Sequence, residues 1–274
     1  MHGCDVGGKM RKVLLALMAI IMLGSSALAQ AENIICWFPP GWKIKKIRAK
    51  MITEVLSEKS GLVIEPKVAE SYTFILNSFT GKEHALVYTG SFIQAIIATR
   101  DLGVPLVQAV NGTEAYGSWM VLPKDGDPEA ILKKQAGEVA YAIGASAGES
   151  GAKAATQGAA NFPTRNHGAT ITAVTTGKAP AGFVKSWWWR AKKDKYPDLK
   201  SYQLPGISDE KNPDNILTAS KGLSKEDQEK IKQAALASGA VFGAQKMVEF
   251  DAKSLKFSLW LMEQGHIDPK TYSW

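Results

Sequence analysis

Short apolar segments alternate with segments of helical periodicity along this chain, and that order constrains the fold more than any other feature. The strand-like segments are residues 33–37, 62–68, 85–88, 104–110, 118–122, 139–143, 181–184 and 201–204. The helix-like segments are residues 43–59, 71–80, 92–99, 127–135, 152–158, 169–176, 224–238, 244–251 and 254–265. The first of these helices has apolar residues at helical spacing, namely Ile44, Ile47, Met51, Ile52, Val55 and Leu56. Such alternation predicts the α/β class, with parallel sheets and crossover helices.

The predicted elements form two α/β units that are not separated by a long Pro/Ser linker. We expect a first lobe built from residues 32–117 and 206–274, and a second lobe built from residues 118–205. Small ligands bind in clefts at domain interfaces, outside the carboxyl ends of parallel strands. A ligand cleft is therefore expected between the two lobes.

The first residues have the pattern of a secretory signal peptide. Three basic residues precede an uninterrupted apolar run at residues 13–23, and Ala29–Ala31 offers small residues for cleavage. The run has eleven residues, whereas a bilayer-spanning helix needs roughly 20. The sequence predicts a signal peptide over residues 1–31 and a periplasmic product; a buried N-terminal helix is the alternative. Translation from Met10 instead of Met1 would leave the same signal.

Composition excludes several classes of protein. Apolar residues make up 45% and charged residues 22% of the 274 residues, which is typical of globular domains and not of disordered or fibrous chains. The net charge of +7 is compatible with an anionic ligand, an anionic membrane or nucleic acid. Two cysteines cannot form a disulfide-rich scaffold or a four-cysteine zinc site, and we predict no cofactor and no metal.

Cys36 is the one cysteine that remains after the predicted cleavage. A free cysteine behaves as a small apolar residue, so a buried strand thiol is the favoured interpretation. A ligand for a soft metal or metalloid is the alternative.

Two segments have the composition of anion-binding turns. Residues 145–151 (ASAGESG) follow a predicted strand and open a predicted helix, and Thr89-Gly90-Ser91 repeats that plan. Helix N-termini expose unpaired N–H groups and a positive dipole end, and both favour anions. Two such turns on facing lobes could hold a tetrahedral oxyanion; ordinary helix capping is the alternative.

Signals for catalysis or for binding a polymer are weak. Motifs of serine hydrolases, zinc proteases, P-loops and dinucleotide-binding folds do not occur, so we predict no enzyme. The segment 187–193 (WWWRAKK) combines aromatic and basic residues, as membrane and nucleic-acid surfaces do. A helix with one packed aromatic face is the favoured interpretation.

Seven short segments occur in an order that resembles a known family. They are Ser71-Tyr72, Leu86–Ser91, Tyr116, Ser146–Gly151, Asn166-His167-Gly168, Ala173–Ala181 and Asn212–Asn215. From about residue 33 to about residue 231 the chain resembles the phosphate-, phosphite- and phosphonate-type solute-binding proteins of ABC importers. The resemblance implies the two-lobed type 2 periplasmic-binding-protein fold.

The resemblance also implies a ligand and a set of ligand-binding residues. The ligand is a small oxyanion, captured by lobe closure and delivered to an inner-membrane permease by a monomer that binds no nucleic acid. Side chains of Tyr72, Tyr116 and His167 are expected to hydrogen-bond the oxyanion. The full expected set is Tyr72, Tyr88, Thr89, Gly90, Ser91, Tyr116, Ser146, Ser150, Gly151 and His167.

Three positions depart from the family pattern. Ser91 stands where proline is usual, Lys185 stands where the family often has an acidic residue, and Glu149 lies within the second anion turn. Lys185 and Glu149 could pair with each other, or Glu149 could face solvent. These departures disfavour an aminophosphonate and leave phosphate, phosphite, a simple phosphonate or another oxyanion open.

Two other functions remain open at this point. A protein of this fold could sense a ligand, such as an arsenic oxyanion, for a membrane histidine kinase, with Cys36 as a thiolate ligand. An exported hydrolase would need His167 as a base beside Ser146 or Ser150.

Overall fold

The computed structural model describes residues 33–273, so the predicted signal peptide lies outside the described residues. The strands are β1 (Ile34–Phe38), β2 (Ile64–Val68), β3 (Ala85–Thr89), β4 (Gly103–Val110), β5 (Ala115–Tyr116), β6 (Ser118–Pro123), β7 (Ala140–Ala142), β8 (Phe162–Thr164), β9 (Gly182–Lys185), β10 (Leu199–Tyr202), β11 (Asn212–Pro213), β12 (Ile216–Ser220) and β13 (Lys246–Glu249). The α-helices are α1 (Lys46–Ser60), α2 (Tyr72–Ser78), α3 (Ser91–Thr99), α4 (Pro128–Lys134), α5 (Gly151–Ala155), α6 (His167–Thr175), α7 (Ser186–Arg190), α8 (Lys225–Leu236), α9 (Gly239–Phe242) and α10 (Lys256–Gln264). Within this described part, no helix is both long and apolar enough to cross a membrane.

The strands form two separate mixed sheets, one in each lobe. The sheet of lobe 1 has six strands in the order β13-β4-β12-β3-β1-β2, and the sheet of lobe 2 has five in the order β10-β6-β9-β7-β8. In lobe 1 only the pairings β1–β2 and β1–β3 are parallel, and in lobe 2 only β7–β8 and β7–β9. The expectation of purely parallel sheets is therefore wrong, because β12 returns to lobe 1 antiparallel to both of its neighbours.

Helices cover both faces of each sheet. In β3, Leu86 and Tyr88 pack into one apolar cluster with α1 and α8, whereas Val87 packs into a second cluster with α3. This assignment follows from the period of two along a strand, which points successive side chains to opposite faces. In β6, Met120 and Val121 divide in the same way between two clusters of lobe 2. Each lobe is thus a layered α/β unit with its own core.

A short antiparallel ribbon connects the lobes. Strands β5 and β11 pair as Tyr116 with Asn212 and as Ala115 with Pro213. The chain enters lobe 2 just after β5 and leaves it just before β11. The Asn212 side chain donates to the Tyr116 carbonyl and accepts from the Ser258 hydroxyl at 2.8 Å, which fastens the ribbon to α10. The exact lobe boundaries at residues 117 and 205 stay a prediction.

Three sequence expectations about local structure are wrong. Residues 246–249 are an edge strand and not part of a helix. They pair with β4, and pairing with a strand that is distant in sequence leaves no signal in the local apolar periodicity. Residues 146–150 form a π-helical turn instead of an extended loop. In the first helical segment, Ile44 and Ile47 are 91% and 80% exposed. Ile44 lies in a 3-10 turn at Pro40–Lys45 and Ile47 lies in the first turn of α1, and neither joins the core that Ile52 and Leu56 enter.

Candidate functional site

A cleft of about 660 Å³ is lined by residues of both lobes. Lobe 1 contributes the end of β3, the start of α3 and the segment 39–48; lobe 2 contributes the segment 144–146, the start of α6 and the region around α7. The ribbon contributes Tyr116, and the segment after it contributes Asp214. The volume lies within the range of about 300–1,000 Å³ that is typical of small-molecule sites.

The N-terminus of α3 opens into the cleft. Thr89 ends β3, Gly90 is the residue before the helix, and both line the cleft together with Phe92. The first N–H groups of a helix have no partner within it and carry its positive dipole end. The Thr89 hydroxyl is buried and has no hydrogen-bond partner among residues 33–273. This corner therefore offers several donors to an anion.

Close packing requires glycine at position 90. A Cβ at Gly90 would lie 2.7 Å from Asp214 Oδ1 and 3.2 Å from the Tyr116 hydroxyl. Any side chain would therefore push aside the carboxylate or the phenol. The absence of a side chain lets the turn approach the floor of the cleft.

The N-terminus of α6 enters the cleft from lobe 2. Asn166 caps this helix by accepting from the Ala169 N–H at 2.9 Å, and Asn166, His167 and Gly168 all line the cleft. Both ring nitrogens of His167 are buried and without a hydrogen-bond partner in the described part of the chain. Burial, with a smaller contribution from the charge of Lys185, lowers the pKa of His167 to about 3. The ring is therefore neutral near pH 7 and offers one donor and one acceptor.

An ion pair crosses the floor of the cleft. Lys185 Nζ lies 2.8 Å from Asp214 Oδ2, and the two side chains are only 11% and 10% exposed. Nζ also lies 4.0 Å from the centre of the Tyr116 ring, within cation–π distance. The pair connects the end of β9 in lobe 2 to the segment that leads into β12 in lobe 1. Lys185 thus supplies positive charge, and Asp214 prevents that charge from being buried alone.

Three hydroxyls form a chain beside this ion pair. The Ser91 and Tyr116 hydroxyls share a hydrogen bond of 2.9 Å, and Ser91 Oγ donates to Ser146 Oγ at 2.8 Å. Burial, and secondly the charge of Asp214, raises the pKa of Tyr116, so the phenol stays protonated. The chain joins the ribbon, lobe 1 and lobe 2. Ser91 does not itself line the cleft.

The second predicted turn contributes only its first residue. Ser146 lines the cleft, but Ser150 and Gly151 do not. A Cβ at Gly151 would overlap the Ser118 hydroxyl of β6, so this part of the turn packs into lobe 2. The Ser150 hydroxyl is buried without a hydrogen-bond partner among the described residues. Its buried position, away from the cleft lining, gives it no direct path to a cleft ligand.

Glu149 faces neither Lys185 nor solvent. It is buried, and its carboxylate accepts from the Gly144 N–H at 2.8 Å and from the Tyr272 hydroxyl at 2.6 Å. Lys153 adds an ion pair at 2.9 Å. The expected pairing of Lys185 with Glu149 is therefore wrong, and so is the alternative that Glu149 faces solvent. Glu149 instead holds residue 144, which does line the cleft.

Aromatic side chains form much of the remaining lining. Trp42, Tyr88 and Phe242 come from lobe 1, with ring centres 5.5 Å apart for Trp42–Tyr88 and 5.4 Å apart for Tyr88–Phe242. Trp187 and Trp188 come from lobe 2. Trp189 is buried and stacks on Tyr196 in the lobe 2 core, and the half-buried Trp188 packs against the same cluster while it also lines the cleft.

Comparison with known families decides the class of the protein. Residues 46–252 match the family described as "ABC transporter, phosphonate, periplasmic substrate-binding protein". The chain belongs to this family. It is the periplasmic phosphonate-binding component of an ABC transporter, a solute-binding protein and not an enzyme.

Solved structures of other binding proteins have the same fold. PhnD1 of Prochlorococcus marinus (MIT 9301) in complex with methylphosphonate superposes with a TM-score of 0.67 at 14% identity, over 85% of this chain and 98% of that one. A binding protein component of an ABC phosphonate transporter from Pseudomonas aeruginosa gives 0.63 at 16% identity, over 85% and 87%. The Xanthomonas citri protein XAC2383 bound to ATP gives 0.68 at 10% identity, over 85% and 97%. A search of curated proteins finds no match.

The structure argues against the two alternative functions, a metalloid sensor that uses Cys36 and an exported hydrolase. Cys36 is fully buried in the core of lobe 1, where desolvation raises the pKa of its thiol, and it does not line the cleft. The thiolate version of a metalloid sensor is therefore wrong. A hydrolase would need a base bonded to a nucleophile, but neither nitrogen of His167 has a hydrogen-bond partner within residues 33–273.

Several cleft residues escaped the sequence analysis. Trp42 and Arg48 belonged to no motif, Asp214 was not singled out as a ligand-binding residue, and Trp187 and Trp188 were assigned to a helix with one packed aromatic face. The one available signal for Asp214 was its place in the Asn212–Asn215 segment, next to residues already implicated. Of the predicted set, the structure brings Tyr72, Tyr88, Thr89, Gly90, Tyr116, Ser146 and His167 to the cleft.

Proposed function

We propose that this protein captures a phosphorus oxyanion between its lobes by hinge closure and delivers it to a membrane permease. The signal peptide is removed near Ala31, and the exported protein acts as a monomer. The oxyanion lies at the meeting point of the α3 and α6 N-termini, where Thr89, Ser146 and His167 bond its oxygens and Lys185 balances its charge. Tyr72 and Tyr116 complete the lining around it.

One observation supports this proposal above all others. Thr89 Oγ1 in lobe 1 and both ring nitrogens of His167 in lobe 2 are buried, unpartnered within residues 33–273, and belong to residues that line one cleft. Buried polar groups are nearly always hydrogen-bonded in native proteins. Unsatisfied groups on separate lobes, in residues that line one cleft, are what a closing site with hydrogen-bonding ligands requires.

The Lys185–Asp214 ion pair disfavours ligands that carry an amine. A ligand amine would need a carboxylate, but Asp214 is already bonded to Lys185 at 2.8 Å. An amine would therefore compete with a buried lysine that the carboxylate neutralises. This supports a phosphonate without an amine over an aminophosphonate.

Calorimetric titration of protein purified from the periplasm tests the proposal. We expect saturable binding, one ligand per chain, for at least one of methylphosphonate, phosphite and phosphate. Thr89→Val removes only an unpartnered hydroxyl, and we expect it to weaken binding by roughly 10- to 150-fold, because a hydrogen bond to a charged ligand contributes roughly 1.5–3 kcal/mol. The same sample gives the mass of the mature chain and its oligomeric state.

Ser150→Ala is the matched control, because it removes another buried, unpartnered hydroxyl that lies outside the cleft. We expect it to leave the affinity unchanged. Absence of binding for all three anions would overturn the proposed ligand class.

A further inference from the structure

The cleft is much larger than a single phosphorus oxyanion. Its volume of about 660 Å³ equals that of roughly 20 water molecules at about 30 Å³ each. Methylphosphonate adds only a methyl group to the phosphorus and its three oxygens. Such an anion would fill the corner between the α3 and α6 N-termini and leave most of the cleft to solvent.

The remaining space has aromatic walls on both lobes. In lobe 1, the half-buried Trp42 packs edge-on against Tyr88, with their ring planes at 85°. In lobe 2, Trp187 and Trp188 are half-buried at the start of α7, and the Trp188 ring centre lies 6.2 Å from that of His167. The aromatic wall of lobe 2 is therefore adjacent to a proposed oxyanion contact.

Trp187 also has an unused donor. Its indole Nε1 is buried and without a hydrogen-bond partner among the described residues, although Trp187 lines the cleft. A buried indole N–H is normally bonded. An apolar methyl group could not satisfy it, whereas a larger ligand with an acceptor beyond its oxyanion could.

Positive charge extends beyond the oxyanion corner. Lys43, Lys45, Arg48 and Lys192 line the cleft in addition to Lys185, whereas Asp214 is the one acidic residue among the described residues that line it. Lys45 Nζ lies 5.4 Å from the centre of the Trp42 ring. Cations beside aromatic rings suit a ligand that combines negative charge with a planar group.

We infer that the preferred ligand is a phosphorus oxyanion that carries an aromatic ring, with the ring against the tryptophans of the cleft. This inference rests on the proposed function, because it places the oxyanion in the same corner. Arylphosphonates and nucleoside monophosphates share this chemistry. Ring stacking on tryptophan would then contribute affinity that methylphosphonate cannot obtain.

Titrations with methylphosphonate, phenylphosphonate and adenosine monophosphate test the inference on protein purified from the periplasm. We expect at least one aromatic ligand to bind about tenfold or more tightly than methylphosphonate. Whichever aromatic ligand binds more tightly identifies the source, an arylphosphonate or a nucleotide. In Trp188→Ala the ratio of the affinity for the aromatic ligand to the affinity for methylphosphonate should fall to about one.

Trp42→Ala repeats the test from lobe 1, in case Trp188→Ala disturbs the α6 terminus. Trp260→Ala is the matched control, because Trp260 is 39% exposed on α10, stacks on Phe257 and lies outside the cleft. Methylphosphonate binding as tightly as both aromatic ligands would overturn this inference and leave the proposed function standing. Failure of all three ligands to bind would overturn this inference, and the proposed function falls with it only if phosphite and phosphate also fail to bind.

Discussion

The turn at residues 89–91 in lobe 1 and the turn at residues 146–151 in lobe 2 have the same sequence plan. Each follows a strand, is built of small polar residues and precedes a helix. In lobe 1 the turn presents Thr89 and Gly90 to the cleft, whereas in lobe 2 only Ser146 reaches it. The rest of the second turn is a π-helical turn that packs into the core.

The difference shows that one local plan has two structural uses. The lobe 1 turn lies at the carboxyl end of a central strand, where α3 starts at the cleft. In lobe 2, the equivalent helix end is occupied by Ser118 and by the Glu149 network. The anion-facing helix terminus of lobe 2 belongs instead to α6, with His167 as its first residue.

The largest expected effect concerns the packing of the second turn. Gly151→Ala would make a methyl group overlap the Ser118 side chain. Overpacking of this kind lowers the free energy of unfolding by up to about 3 kcal/mol. We expect a corresponding loss in the free energy of unfolding, measured by urea denaturation. Gly137→Ala is the control, because its nearest neighbour would lie 3.7 Å away. Equal stability of the two variants would show that the second turn is not packed into the core.

The second prediction concerns the pH dependence of stability. The pKa of His167 is about 3 in the folded protein and about 6.5 in an unfolded chain. Because the folded pKa is the lower one, the unfolded state takes up the proton first as the pH falls below 6.5. The stability is therefore full above pH 6.5 and decreases towards pH 3, with a loss of about 2 kcal/mol at pH 5.

Urea unfolding of the wild type and of His167→Gln at pH 7.5 and pH 5 isolates this contribution. We expect the pH-dependent loss to be smaller in the variant by about that amount. An identical loss in both proteins would mean that His167 is not buried as a neutral ring.

The smallest expected effects are changes in stability on replacing Ser91 or Ser150. Ser91 Oγ bonds both Tyr116 and Ser146, so Ser91→Ala leaves two buried hydroxyls short of a partner and should cost about 1–2 kcal/mol. Ser150 Oγ has no partner among the described residues, so Ser150→Ala breaks no hydrogen bond and should lower stability by less than about 0.5 kcal/mol. Thermal melting of both variants measures the contrast. A larger loss for Ser150→Ala would contradict the assignment of the two turns.

Much of the fold could be predicted from the sequence because its signals are local. Apolar periodicity located most helices, and Ser224 is a typical N-cap residue of α8, its hydroxyl accepting from the Asp227 N–H at 3.0 Å. The edge strand β13 was missed because an edge strand depends on its neighbour and not on its own sequence. The same holds for β8, which exists through its pairing with β7.

The sequence by itself determined the α/β class, the two units and the cluster of small polar residues after β3, since each depends on neighbours along the chain. Only the tertiary structure decided which polar groups face the cleft. Lys185 and Asp214 are 29 residues apart and pair through the return of the chain in β11. Trp42 and Trp188 reach one cleft from different lobes. Such convergence depends on how sheets and crossings bring distant segments together, and a single sequence carries no local signal of it.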